Sequence, residues 1–73
     1  MTKFYQIMES TYGNVLGIYE NRKLAIEDAK TYHVEHKSEV QVNAVEPNKL
    51  FYPQMTSLCV WFIEKDSQEH WVL

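Results

Sequence analysis

Two histidines one helical turn apart are the first residues whose types and spacing could support chemistry. His33 and His36 enclose the motif H-V-E-H, with Glu35 between them and Glu39 close by. Two ligands from one turn can hold a metal ion, but a zinc site needs three or four. The motif also lacks the spacing of a metalloprotease helix. We therefore expect no metal here, and we interpret both histidines as polar residues near a helix C-terminus, where a partly charged imidazole suits the helix dipole.

Catalytic groups of other kinds are not recognisable. The single cysteine, Cys59, could act as a nucleophile beside a histidine, but it lies in an apolar run, where a free cysteine packs as a small hydrophobe. Gly13 and Gly17 are the only glycines, which excludes a phosphate-binding loop of the usual form. A chain of 73 residues also encloses little pocket. We expect no enzymatic activity and no cofactor.

Aromatic residues and methionine in the second half of the chain are the candidates for binding. Such residues are enriched at the cores of protein interfaces and carry much of the binding energy there. Residues 50–56, LFYPQMT, are mostly apolar, yet Pro53 argues against a central strand. This segment either contacts a partner or folds back to cap the core. The predicted apolar anchors are Leu50, Phe51, Tyr52, Met55, Trp61 and Trp71, and the predicted acidic rim is Glu64, Asp66 and Glu69.

Three lysines offer an alternative, nucleic-acid binding. Lys23, Lys30 and Lys37 recur every seven residues, so they follow one flank of a helix. Such a stripe could meet phosphate, and aromatic residues on an uncovered sheet face could stack bases. Mixed charges along an exposed helix are more often a solvated face. The net charge of −3 also argues against a sequence-independent grip on nucleic acid.

One helix is predicted at residues 21 to 37. Asn21 is a favourable N-cap, and the interior contains neither glycine nor proline. Ala25 and Ala29 would let the helix backbone approach a sheet closely. The predicted sheet-facing side comprises Arg22, Ala25, Ala29, Tyr32 and His36, with Ile26 and His33 beside it.

Four or five strands surround this helix. They are predicted at residues 3–8, 15–19, 39–46 and 58–63, with a short fifth strand at 70–73 that pairs back on the fourth. Gly13-Asn14 is a turn signal that predicts a hairpin of the first two strands, and Gly17 indicates a bulge or a close backbone contact. The run LCVWFI predicts the central strand. We therefore expect a single α+β domain over residues 1–73, an antiparallel sheet in the order ββαββ(β) with the helix on one face.

Composition places the chain in a general class. Hydrophobic residues make up 45% and aromatic residues 14% of the sequence, which is sufficient for a core. A chain of this length buries only roughly 60% of its unfolded surface, so we expect help from a partner or from self-association. A lone cysteine fits a reducing compartment. No apolar run reaches the length of a signal peptide or of a membrane span, and we expect a cytoplasmic protein.

A resemblance adds a functional expectation. Tyr5-Gln6-Ile7, Gly17-Ile18-Tyr19 and residues 21–29, NRKLAIEDA, are similar to a pattern of small, mostly uncharacterised bacteriophage-encoded proteins over residues 4–45. The resemblance implies binding to a host protein, in the host cytoplasm. We therefore predict a protein-binding module that inhibits or redirects a host protein and self-associates. The alternatives are a nucleic-acid-binding or transcription-modulating module and a structural homo-oligomeric protein.

Overall fold

Five strands and one helix make up the parts of the chain that the computed structural model describes, residues 3–45 and 58–72. The elements follow one another as β1 (Phe4–Glu9), β2 (Asn14–Tyr19), α1 (Arg22–His36), β3 (Val40–Val45), β4 (Leu58–Ile63) and β5 (Glu69–Trp71). All neighbouring strands are antiparallel. The α+β fold, the order of the elements along the chain and the short fifth strand that pairs with β4 are confirmed.

The strands lie in the order β2-β1-β3-β4-β5. The prediction that residues 58–63 form the central strand is therefore wrong, because β3 lies in the middle and β4 is second from an edge. After α1 crosses the sheet, β3 returns beside β1, with Ile7 opposite Val42. The hydrophobic run of β4 reflects burial rather than a central position.

The β1–β2 hairpin forms at the predicted turn. Gly13 has a φ of 71°, a left-handed conformation that glycine adopts without steric cost, and its N–H donates to the Glu9 carbonyl at 2.8 Å. Further along β2, Gly17 lies opposite Ile7 and Val15 lies opposite Met8. Leu16 is therefore an extra residue, and the bulge predicted near Gly17 is confirmed.

The helix begins and ends with identifiable caps. The Asn21 side chain accepts a hydrogen bond from the Leu24 N–H at 3.0 Å, as an N-cap should. At the other end, Lys37 has a φ of 53°, and its N–H donates to the His33 carbonyl at 2.7 Å. The helix therefore ends one residue earlier than the sequence pattern indicates.

The buried side of α1 is rotated from the predicted one. Ala25, Ile26, Ala29 and His33 are buried, whereas His36 is exposed. Arg22 and Tyr32 are only half-buried. Ala25 and Ala29 have no accessible surface, which fits the expectation that small residues let the helix lie directly on the sheet. The main core, between α1 and the sheet, comprises Ile7, Ala25, Ile26, Ala29, Val40, Val42, Val60, Trp61 and Ile63.

Two tyrosine hydroxyls tie the helix to the sheet. The Tyr19 hydroxyl donates to the Asp28 carboxylate at 2.6 Å, and the Tyr32 hydroxyl donates to the Glu9 carboxylate at 2.8 Å. Each hydrogen bond raises the pKa of its phenol, since the bond requires the protonated form. Among the described residues α1 is the one helix, and it is neither long nor apolar enough to cross a membrane.

The sheet face away from α1 carries a row of amides, which we term the amide ladder: Gln6, Gln41 and Asn43. Asn43 Nδ2 donates to Gln6 Oε1 at 3.3 Å, and Gln41 Nε2 donates to Asn43 Oδ1 at 2.9 Å. The Ser10 hydroxyl extends the row by donating to Gln41 Oε1 at 3.2 Å. Asn43 is only 1% exposed. Neighbouring amides therefore satisfy one another inside the domain.

Candidate functional site

A groove lies between the helix and the last strand, and we term it the α1–β5 groove. It has a volume of about 350 Å³ and is lined by Arg22, Lys23, Ile26, Glu27, Lys30 and Trp71. The helix contributes five of these residues and β5 contributes Trp71. Ile26 is buried and provides an apolar surface within the groove. A volume of this size can receive one large side chain of a partner.

Trp71 is exposed yet held in position. Its side chain is 62% exposed, but its ring packs edge-on against the Trp61 ring, with 6.3 Å between centroids. Lys30 Nζ lies 5.9 Å from the Trp71 ring centroid, within the range of a cation–π contact. Because Trp61 lies opposite Trp71 in the β4–β5 pair, both indoles project toward α1. The exposed ring is therefore supported by the core rather than free in solvent.

Glu69 connects the wall of the groove to the core. Its carboxylate oxygen Oε1 lies 3.1 Å from Lys30 Nζ and accepts a hydrogen bond from the Trp61 indole N–H at 3.2 Å. The bond from Lys30 is the largest influence that holds the pKa of Glu69 below its ordinary value, and the Trp61 indole acts in the same direction. One carboxylate thus fixes both the lysine and the buried indole.

This ion pair predicts a loss of stability in acid. The folded-state pKa of Glu69 lies below its value of about 4.3 in an unfolded chain. Its contribution is therefore complete above that value and is lost as the pH falls through the folded pKa. We expect urea-unfolding midpoints to fall as the pH is lowered through the folded-state pKa of Glu69. The fall should be less steep for Glu69→Gln than for the unaltered protein.

The control for this acid titration is Glu20→Gln, at an exposed position between β2 and α1. That substitution also removes one carboxylate but leaves the Lys30–Glu69 pair in place. Its midpoints should follow those of the unaltered protein. Parallel curves for Glu69→Gln and the unaltered protein would show that the pair contributes nothing to stability.

Positive charge predominates along the groove. Arg22 and Lys23 are the first two residues of α1, and the first turn contains no acidic residue. The helix dipole adds a partial positive charge at the same end. Lys30 lies further along the groove, where the Glu69 carboxylate pairs with it, and Glu27 is the one carboxylate among the lining residues. The groove therefore favours an apolar group that is flanked by negative charge.

The structure separates the predicted binding residues. Trp71 lies in the α1–β5 groove, whereas Trp61 has no accessible surface and belongs to the core. The prediction that Trp61 contacts a partner directly is therefore wrong, because α1 covers it. Leu50, Phe51, Tyr52 and Met55 lie outside the described residues.

The three residues of the predicted acidic rim lie at the surface, where each has a partner within the chain, and their role in binding stays a prediction. Glu64 accepts from the His70 ring at 2.7 Å, and Asp66 accepts from the Gln68 backbone N–H at 3.2 Å, so both serve the β4–β5 connection. Glu69 is engaged by Lys30 and by the Trp61 indole. The charges that line the groove beside Trp71 are mainly basic, because the N-terminal half of α1 lies there. The sequence offered one signal for this, the seven-residue spacing of Lys23 and Lys30.

His33 and His36 have different surroundings. His33 is buried, with Nδ1 2.8 Å from the Ser38 carbonyl and Nε2 2.8 Å from the Ser67 hydroxyl. A carbonyl only accepts, so Nδ1 donates, and in the neutral ring Nε2 accepts from Ser67. His36 is exposed and stacks on Tyr32 at 4.1 Å. In the described part of the chain, no cluster of three His, Cys, Asp or Glu side chains could hold a metal ion.

Cys59 is half-buried in β4, on the strand position opposite Asn43. Its thiol donates to the Trp61 carbonyl at 3.5 Å. Burial raises the pKa of the Cys59 thiol, and the hydrogen bond opposes this to a smaller extent. A thiol with a raised pKa is a poor nucleophile near neutral pH, which agrees with a packing role.

Comparison with known proteins gives no relative for this chain. No protein-family model matches it, no curated protein matches it, and no solved structure matches it.

Proposed function

We propose that this chain is a protein-binding module that holds an apolar side chain of its partner in the α1–β5 groove, against Trp71. One observation carries the proposal: Trp71 is 62% exposed, and yet Trp61 and Lys30 hold its ring in place. A fixed aromatic surface loses little conformational entropy on binding. Tryptophan and arginine are also the residues most enriched among those that dominate interface energies.

The chemistry of the groove indicates the chemistry of the partner. Three cations, Arg22, Lys23 and Lys30, line it together with the carboxylate of Glu27. Because Glu69 pairs with Lys30, three cations face two carboxylates, and an excess of one positive charge is left. A partner segment with one large apolar residue flanked by aspartate or glutamate would complement both the cavity and its charge. Following the resemblance to phage-encoded proteins, the partner is a host protein that this chain inhibits or redirects by covering its acidic, apolar surface.

Selection from a library of short random peptides tests the proposed specificity. Immobilised protein should enrich peptides with an aromatic or large aliphatic residue beside acidic residues. The same selection on Trp71→Ala should enrich no such pattern, and Lys23→Glu should weaken the acidic preference while keeping the apolar one. The matched control is Val34→Ala, because Val34 is 72% exposed on α1 but does not line the groove. Equal enrichment on Trp71→Ala and the unaltered protein would refute the proposal.

Binding energies give a quantitative prediction for a selected peptide. Trp71→Ala should weaken binding by about 2 kcal/mol or more, roughly thirtyfold in Kd, as truncation of a central aromatic anchor does. Calorimetric titration measures the change, and circular dichroism confirms that the variant is folded. Acrylamide quenching supplies an independent readout, because bound peptide should protect Trp71 while Trp61 is already buried. A loss below threefold would place the binding surface elsewhere.

A second candidate function is single-stranded nucleic-acid binding in the same groove. The specific observation in its favour is one exposed indole surrounded by three cationic side chains, since bases stack on aromatic rings while cations meet the phosphates. The net charge of −3 opposes it. Titration with oligonucleotides at low salt distinguishes the two functions: binding that falls steeply as salt rises supports nucleic acid, whereas no binding at low salt removes it.

A further inference from the structure

Exposed hydrophobic side chains are concentrated at the edge of the sheet opposite to the groove. Eight large hydrophobic residues are exposed in the described part of the chain, and four of them lie within residues 12–18. These four are Tyr12, Val15, Leu16 and Ile18. Val15 lies opposite Met8 and Ile18 lies opposite Gln6, so both are on the sheet face that carries the amide ladder. A cluster at one edge differs from the scattered apolar residues of an ordinary surface.

The two sheet edges are protected very differently. At one edge, β5 has only three residues, and two of them, Glu69 and His70, are polar. At the other edge, β2 has six residues, NVLGIY, without a charge or a proline. Among the described strands β2 pairs only with β1, so no strand in this part of the chain occupies its outer edge. Short length and charge are the usual devices against edge pairing, and β2 lacks both.

The bulge at Leu16 is the one protective device present in β2. A bulge increases the local twist of a strand, but it does not repel a second strand as a lysine would. It also leaves Val15 and Ile18 on a single face, where each is more than half exposed. The edge is therefore twisted but still apolar, and no described strand pairs with its outer side.

We propose that β2 pairs with β2 of a second copy of this chain, antiparallel about a two-fold axis, so that two five-stranded sheets become one. An uncharged strand can lie beside its own copy without opposing like charges. The antiparallel arrangement brings the hairpin turn of one copy, with Tyr12, beside the Glu20 end of β2 in the other, and it keeps the two Glu20 carboxylates at opposite ends. Every other strand pair in this sheet is already antiparallel.

The second copy is favoured over an unrelated strand because such an interface is self-complementary and closes on itself. Pairing uses the β2 edge of both copies, so the assembly stops at two. It also adds buried surface to a chain whose size limits the area it can bury alone. The α1–β5 groove lies at the far edge of each sheet and remains open in the dimer.

Sedimentation equilibrium from micromolar to millimolar protein tests this assembly. A chain of 8.7 kDa should reach twice that mass, about 17.4 kDa, and no more. Ile18→Lys places a charge on each strand of the pair and should raise the dimer dissociation constant by at least about tenfold. The control, Val34→Lys, adds the same charge at a more exposed apolar residue of α1 and should leave the dimer unchanged.

A measurement on the unaltered protein keeps the test independent of how well the variants fold. Backbone amides on the outer edge of β2 should exchange slowly at high protein concentration and faster on dilution, while the amides of β3 do not change. The proposal is overturned by a monomer at every concentration, by assemblies larger than two, or by a dimer that Ile18→Lys leaves intact. It is also overturned if the concentration-dependent protection falls on β5, or if β2 is protected only when another protein is added.

Discussion

Trp61→Ala is expected to lower the free energy of unfolding by about 3–5 kcal/mol, the range for truncating a large buried aromatic residue. The Trp61 side chain has no accessible surface and belongs to the core between α1 and the sheet. Its indole N–H also donates to Glu69, so truncation removes a hydrogen bond together with the packing. At roughly 0.05–0.15 kcal/mol per residue, a chain of this length has only about 4–11 kcal/mol in total. The variant should therefore be largely or partly unfolded.

Urea unfolding followed by circular dichroism measures this loss. Trp61→Phe is the graded comparison, because it keeps an aromatic ring in the core and removes the N–H donor to Glu69. Trp61→Phe should lower the free energy of unfolding by less than Trp61→Ala does. It should also show a complete urea-unfolding transition, even where Trp61→Ala does not. Trp71→Ala is the matched control at the opposite residue of the neighbouring strand, and its exposure predicts a smaller loss. Equal losses at the two tryptophans would contradict the division into core and surface.

The architecture was predictable because several local signals agree. Alternating strands, a helix without glycine or proline that has Asn21 as its cap, and a turn at Gly13 each specify local structure independently, and together they allow few arrangements. The lateral order of strands was not predictable in the same way. The hydrophobicity of residues 58–63 indicates burial, but β4 obtains that burial from α1 on one side and its neighbouring strands, without lying at the centre.

Trp61 and Trp71 show why the sequence could indicate candidate residues for the α1–β5 groove but not which of them is exposed there. Trp61 and Trp71 lie opposite each other and project to the same face of the sheet. They differ in their lateral position, because β4 is second from the edge of the sheet and β5 is the edge strand. Trp61 is buried in the core with α1, while Trp71, one strand further out, remains exposed at the groove. Lateral position within a sheet depends on tertiary packing, which sequence spacing does not record.

Long-range partners were missed for the same reason. The sequence indicates only that His33 is a polar residue near the helix C-terminus, beside the sheet-facing side. In the structure, the β4–β5 connection brings Ser67 to its ring from 34 residues away. Ser67 has a φ of 72°, an uncommon conformation for a non-glycine residue, in the connection that also holds Glu64 and Asp66. Short-range sequence patterns could not indicate that these acidic side chains accept hydrogen bonds within the β4–β5 hairpin. Leu50, Phe51, Tyr52 and Met55 stay a prediction.

Asn43→Leu is expected to have the second-largest effect on stability. Leucine resembles asparagine in shape but cannot bond to either neighbour in the amide ladder. Gln6 Oε1 would lose its donor and Gln41 Nε2 would lose its acceptor. A buried polar group left unpaired costs about 1–3 kcal/mol, and Gln6 is itself buried. Urea unfolding measures this loss, and the unaltered protein is again the reference.

A second substitution distinguishes hydrogen bonding from packing as the cause. Gln6→Met removes the stranded acceptor and keeps a similar shape, and replacing both partners of a buried hydrogen bond with apolar groups can be nearly neutral. Asn43→Leu combined with Gln6→Met should therefore be more stable than Asn43→Leu alone, and the two effects should not add. If the two losses add, the Asn43–Gln6 hydrogen bond does not account for the loss in Asn43→Leu. If Gln6→Met restores stability to Asn43→Leu, hydrogen bonds between the side-chain amides stabilise the face of the sheet that lacks the helix.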